Sequence, residues 1–163
     1  MLYLLSLLFF LPASGTYTYT LVPDSSDDVK AAVNRTVQHM SFLTRPTARR
    51  RLTRLNPIPE HVQLGITADS LWVTFDGLNP MVTPRDGSEV SWRCALNNDS
   101  YRIRAVQAGD TLEQVFTATD GERTNALVFD PESGRLAVHV TVTSHRLPQP
   151  LEYTLVFRRD STG

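Results

Sequence analysis

The sequence has one cysteine, Cys94, so no disulfide can form within a single chain and stability must come from burial alone. It has one lysine, Lys30; every other basic residue is an arginine. A formal net charge of −1 lacks the basic excess that bulk nucleic-acid binding requires, and no nucleic-acid partner is expected. No apolar run reaches the roughly 20 residues that carry a helix across a bilayer. There is no Gly-x-Ser-x-Gly elbow, no glycine-rich phosphate loop and no dinucleotide fingerprint, so catalysis has no motif to rest on. His39, His61, His139 and His145 form no His-x-x-x-His pair and join Cys94 in no metal-binding spacing. Neither a metal nor another cofactor is expected. Cys94 continues the alternation of Val90 and Trp92, as a small core residue would.

What the sequence does have is enough apolar material for a core. Hydrophobic residues make up 41% of 163 residues and charged residues 20%, which suits one globular domain. The N-terminus reads MLYLLSLLFFLPASG. An apolar run followed by Pro12, Ala13, Ser14 and Gly15 has the form of a secretory signal peptide, with cleavage after Gly15. No Lys or Arg precedes that run, and the alternative is a buried N-terminal segment. The domain reading is a signal peptide over 1–15 and one domain over 16–163, in an exported protein of the periplasm or the extracellular space.

TYTYTLV, residues 16–22, alternates with a period of two and predicts a strand ended by Pro23. The period then changes. Asp24, Ser25 or Ser26 is expected to cap a helix in which Val29, Ala32, Val33, Val37 and Met40 make one apolar stripe. Pro46 sits near the start of a second helix, with Ala48, Leu52 and Leu55 inward and Asn56-Pro57 as its stop. These helices form a cap over about 24–56. From His61 onward nearly every segment alternates: Leu71, Val73 and Phe75 do so, as do Tyr101, Ile103 and Ala105. Asp76-Gly77, Asp86-Gly87, Gly109-Asp110 and Asp120-Gly121 mark tight turns, their glycines expected at positive φ. The expected fold is mainly β: an antiparallel up-and-down meander barrel of about 8–9 strands, capped by two short N-terminal helices.

This order of strand, helix pair and meander, from Tyr17 to Arg159, resembles the calycins, the superfamily of lipocalins and fatty-acid-binding proteins. The resemblance implies a barrel that holds a small apolar ligand. TYTYT stands where lipocalins carry Gly-x-Trp, and the last strand offers Tyr153 and Arg158 rather than the Arg-x-Tyr of fatty-acid-binding proteins. The tail VTVTSHRLPQPLEYTLVFRR also looks like that of small exported bacterial proteins.

The alternation points Phe75, Trp92, Phe116, Phe129 and Phe157 inward, together with the polar side chains Tyr101, Gln114, Asn125 and Tyr153. These nine are the candidate ligand-binding residues, the polar four setting orientation. The second helix carries Arg45, Arg49, Arg50, Arg51 and Arg54, a cluster able to meet an anionic group at the portal or a membrane surface, with Arg49, Arg50 and Arg54 as the leading candidates; the alternative is a solvated face paired with Asp24, Asp27 and Asp28. The joint SHRLPQP is expected to be a rigid plug in which Leu147 and Leu151 fold over one barrel end. The leading functional reading is a non-catalytic extracytoplasmic protein that binds an apolar or amphipathic, lipid-like molecule. One rival is a structural module of the cell envelope with a solid core. The other is an enzyme on a calycin-like scaffold, with Arg123 or Arg158 converging on Tyr153 in the mouth.

Overall fold

A computed structural model describes residues 15–161. The expected signal peptide falls almost wholly outside them; its last residue, Gly15, opens the first strand. Among the described residues the chain forms β1 (Gly15–Leu21), α1 (Val29–Val37), α2 (Arg45–Leu55), β2 (His61–Ile66), β3 (Ser70–Phe75), β4 (Met81–Pro84), β5 (Val90–Arg93), β6 (Ser100–Ala108), β7 (Thr111–Ala118), β8 (Gly121–Asp130), β9 (Arg135–Ser144) and β10 (Leu151–Arg159).

All strands join one antiparallel sheet in the order β4-β3-β2-β1-β10-β9-β8-β7-β6-β5. The sheet curls because β1 is shared between the two ends of the chain. Tyr19 pairs with Val62 of β2 on one side and with Arg159 of β10 on the other. The first strand thus ties the last strand to the second, and the meander bends round into a nearly closed barrel. The remaining seam lies between β4 and β5, which share no ladder; β4 instead packs beside β6 across it. Alternation sets the faces. In β3 the residues Leu71, Val73 and Phe75 are buried while their neighbours are partly exposed.

The strand count exceeds the expected 8–9 by β4, a four-residue strand bounded by Pro80 and Pro84. Proline suppresses a strand signal because it cannot donate to a ladder. Helix 1 also starts later than expected. Pro23–Ser25 make a single 3-10 turn, and the N-cap of α1 is Asp28, whose carboxylate accepts from the Ala31 amide at 3.0 Å. Ser26 is taken up elsewhere: its hydroxyl accepts from the Val156 amide of β10 at 2.9 Å. Asp27 accepts from the Thr154 amide at 2.7 Å. The acidic run therefore ties the strand-to-helix passage onto β10. Of the expected turn glycines, Gly77, Gly87 and Gly109 have positive φ, but Gly121 does not. Gly121 is needed for space, because a Cβ there would collide with the Thr143 carbonyl oxygen of β9.

The helices and four turns share one end of the barrel. These turns are β3–β4, β5–β6, β7–β8 and β9–β10, as antiparallel connection requires. α1 buries Val29, Val33 and Val37 and packs on β10. The proline-rich joint docks beneath it: Gln149 donates to the Arg35 carbonyl at 2.7 Å, and the Pro150 carbonyl accepts from the Thr36 hydroxyl at 3.4 Å. Leu151 is fully buried and Leu147 half-buried, so the joint is stapled to α1 at one end and to the core at the other. The opposite half of the barrel is filled by Leu112, Leu127, Leu136 and Phe157.

Candidate functional site

Between the filled half and the helices lies a cavity of about 730 Å³. Its roof is the inner face of α2, and its mouth is rimmed by the four turns of that end. Phe75, Met81, Trp92, Phe116, Val138 and Leu155 give it apolar walls. Trp92 and Phe116 meet edge to face with ring centroids 5.7 Å apart, a contact that stiffens the wall where β5 and β7 face inward.

One polar cluster interrupts this surface. Arg123, on β8, donates from Nε to Asn125 Oδ1 at 2.8 Å, from Nη1 to Asn56 Oδ1 at 2.8 Å, and from Nη2 to the Tyr153 hydroxyl at 3.3 Å. The Tyr153 hydroxyl in turn donates to Asn56 Oδ1 at 3.1 Å. Asn56 is buried, and its Nδ2 donates to the Leu52 carbonyl at 2.8 Å, closing the last turn of α2. All four residues line the cavity. Every partner of Arg123 in this cluster is neutral, and among the described residues it makes no ion pair with a carboxylate. A guanidinium has five N–H donors, and three are used here. The cluster is thus a half-buried cation with donor capacity to spare, held rigidly under the roof.

Asp76, Asp120 and Glu122 are the acids at the cavity wall, and none of them pairs with Arg123. Asp120, on the β7–β8 turn, stands 4.0 Å from Arg51 of α2 and 3.6 Å from Arg146 of the β9–β10 joint. These partly exposed contacts tie helix, turn and joint together across the rim, each for less than about 1 kcal/mol. Tyr19, whose pKa burial pushes up, lies away from the cavity; so do Asp86 and Asp130, whose pKa values are lowered by hydrogen bonds from Ser88 and Ser133 respectively.

Of the candidate residues, Phe75, Trp92, Tyr101, Phe116, Asn125 and Tyr153 are at the cavity wall. Gln114, Phe129 and Phe157 are not. Phe157 is fully buried in the filled half, Phe129 stacks at an angle on Tyr19, and Gln114 is buried against Met81. Pointing inward and facing the cavity are different conditions in a barrel that is only half hollow. Arg49, Arg50 and Arg54 are exposed on α2 and away from the cavity wall. The arginine at the mouth is Arg51, which shares the inward stripe of Ala48, Leu52 and Leu55 at spacings of three and four. The acids expected opposite α2 do not meet it: Asp27 and Asp28 hold backbone amides, and the carboxylate that α2 reaches is Asp120.

Asn56 and Arg123 were not among the candidate ligand-binding residues. A signal for each is present in the sequence. Arg123 lies two residues before Asn125 on the same strand face, and Asn56 is the helix-stopping residue. Cys94 is buried and lies at the cavity wall.

No protein-family model matches the sequence, and no curated protein matches it. Solved structures do match. The fatty acid binding protein of Schistosoma mansoni in complex with arachidonic acid superposes with a TM-score of 0.52 at 12% identity, covering 91% of this chain and 96% of that one. The fold is that of the fatty-acid-binding proteins. The fluorescent protein UnaG matches at a TM-score of 0.52 and 14% identity over 90% of this chain and 96% of its own. The fatty-acid-binding protein of Manduca sexta matches at 0.51 and 12%, over 90% and 98%. At these identities the likeness is one of fold alone.

Asn56 ties the end of the roof helix to Arg123 and Tyr153, which makes it a test of the geometry. Asn56→Ala removes the acceptor shared by Arg123 and Tyr153 together with the Leu52 cap, and is expected to cost about 1–3 kcal/mol in urea unfolding. Asn56→Asp also loses the donor to Leu52 but keeps the acceptor and adds charge opposite Arg123, so at neutral pH it should unfold less readily than the alanine variant. A loss below about 0.5 kcal/mol in the alanine variant would show that the cluster does not hold the roof.

Proposed function

We propose that the protein is a non-catalytic carrier of an amphipathic acid, with the apolar body of the ligand inside the barrel and its acidic head on Arg123. The observation that carries this reading is the cation itself: a half-buried guanidinium in an apolar cavity, bonded only to neutral groups. Charge in such surroundings is costly to hold without a counter-charge, and an anionic head group would supply one. The cavity volume suits one small ligand, since binding pockets commonly measure about 300–1,000 Å³. The arachidonic acid complex of the schistosome protein of like fold is consistent with a fatty acid or a similar molecule. A solid-cored envelope module accounts for neither the cavity nor the cation within it. For the enzyme reading, Arg123 does reach Tyr153, but Arg158 is exposed away from the cavity, and the partners of the Tyr153 hydroxyl are the Arg123 guanidinium and the Asn56 amide, neither of them a base.

We further infer a membrane-facing surface at the capped end. Phe42 and Leu43, in the link between the helices, are 78% and 74% exposed, and α2 beside them carries five arginines and no acid. Apolar side chains flanked by cations suit an anionic lipid surface. Export is supported by the N-terminal apolar run and its small-residue end. Cleavage after Gly15 would take only the first residue of β1, which pairs with Ile66, and leave the β1–β2 pairs from Thr16 to Thr20 in place.

Three outcomes are expected. In calorimetric titration, hexadecanoic acid binds, and Arg123→Leu weakens it about 10- to 100-fold while hexadecan-1-ol is little affected; equal losses for acid and alcohol would remove the head-group role. Vesicles containing phosphatidylglycerol should co-sediment the protein at low salt and release it at high salt, and Phe42→Ser with Leu43→Ser should abolish the association; indifference to all three conditions would reject the surface. N-terminal sequencing of the protein recovered from outside an expressing cell should begin at Thr16, whereas an intact Met1 on cytoplasmic protein would end the export reading.

A further inference from the structure

We propose that Gln114 is a second polar contact for the cavity's ligand, selecting amphipathic acids that carry a hydroxyl or N–H donor partway along the apolar body. The inference rests on the carrier reading above and narrows it to a ligand class.

Gln114 sits on β7 between the buried Leu112 and Phe116 and is 2% exposed. Its Nε2 approaches the Met81 sulfur at 3.9 Å, and its Oε1 has no hydrogen-bond partner among the described residues. A thioether accepts weakly and cannot donate, so the sulfur favours the nitrogen and leaves the oxygen as the unmatched atom. A buried acceptor without a donor is uncommon in a folded protein and calls for one. Its inward neighbours on the strand, Leu112 and Phe116, are buried and apolar, so an apolar residue would have satisfied packing here without that cost.

Its position is what makes the unmatched oxygen informative. Across the β7–β8 ladder Gln114 pairs with Asn125, and Phe116 pairs with Arg123. Asn125 is the residue that holds the Arg123 Nε. At about 3.3 Å per residue, the row of Gln114 and Asn125 lies roughly 7 Å further along the strands than the row of Arg123. A ligand whose anion rests on Arg123 and whose body runs away from the helices must pass this row. Met81 is the link between the two spaces: it lines the cavity and touches the Gln114 amide. Moving that unbranched side chain aside would uncover the amide, and rotation of the amide about its soft terminal torsion would turn the oxygen toward a donor in the cavity. A plain acyl chain offers no such donor; a hydroxylated chain or an N–H-bearing body does.

The probes are hexadecanoic acid and a set of hydroxyhexadecanoic acids with the hydroxyl moved along the chain, titrated calorimetrically into the full-length protein, Gln114→Leu and Gln114→Met. At least one hydroxy isomer should bind the wild type about five-fold or more tightly than hexadecanoic acid, the equivalent of one neutral hydrogen bond. Both variants should bring that ratio near one, the ratio rather than either affinity alone being the readout. In the wild type, the side-chain amide resonance of Gln114 should move with the preferred isomer and not with hexadecanoic acid, a measurement independent of whether the variants fold. Equal binding of all isomers, a preference that survives both substitutions, or a stationary Gln114 resonance overturns the proposal. If hexadecanoic acid binds without any isomer preference, the carrier reading stands and the role of Gln114 falls; if no acid binds at all, both fall together.

Discussion

The shared pairing of β1 with β2 and β10 is the constraint on which the other features depend. Each strand of the meander has one apolar face, and an open sheet would leave those faces and two edges to water. Placing the first strand between the second and the last curls the sheet and turns the apolar faces toward one interior. It also fixes where the helices go. The chain leaves β1 at Leu21 and must return to β2 at His61, so the intervening helices are confined to the barrel end where β1 stops. Ser26 and Asp27 before α1 and Gln149 in the proline-rich joint then lock that cap in place through side-chain-to-backbone hydrogen bonds, the first two to β10 and the third to α1.

Closure alone would give a filled barrel. The hollow arises because the two halves are packed differently. Large aliphatic residues meet at the centre of the end away from the helices, whereas near the helices the inward positions on β8 and β10 are taken by Arg123, Asn125 and Tyr153. Those groups satisfy one another at the wall and under the roof rather than at the centre. The polar cluster thus shapes the cavity as well as giving it character, and Asn56 makes the roof helix part of it. The same low-dielectric surroundings that strengthen these hydrogen bonds make a neutral-partnered cation receptive to an anion.

Much of this was legible before the structure. Period-two alternation from Leu64 to Phe157 named the inward faces, and the change of period at Asp24 marked the helical cap. The Asp-Gly and Gly-Asp steps placed the turns. Where legibility failed, a local signal had been claimed by something distant. Ser26 looks like a cap, but β10 captures it, and the helix is capped by Asp28 and begins at Val29. Met81–Pro84 holds too few residues between its prolines to show a period, but β3 recruits it as a strand beside the seam. Arg49, Arg50 and Arg54 look like the portal cations, yet the stripe of Ala48, Leu52 and Leu55 carries Arg51 inward instead.

The sequence by itself determined which residues alternate, where the chain turns, and that a greasy face must be hidden, because those properties depend on neighbours within a few residues. Tertiary structure alone decided which inward side chains border empty space and which are buried in the filled half. That choice depends on how strands distant in sequence stagger around the barrel and how much volume their side chains supply across it. For the same reason Asn56, Arg123, Asn125 and Tyr153, spread over β8, β10 and the end of α2, become one site only when the sheet curls and the helix is laid across its mouth.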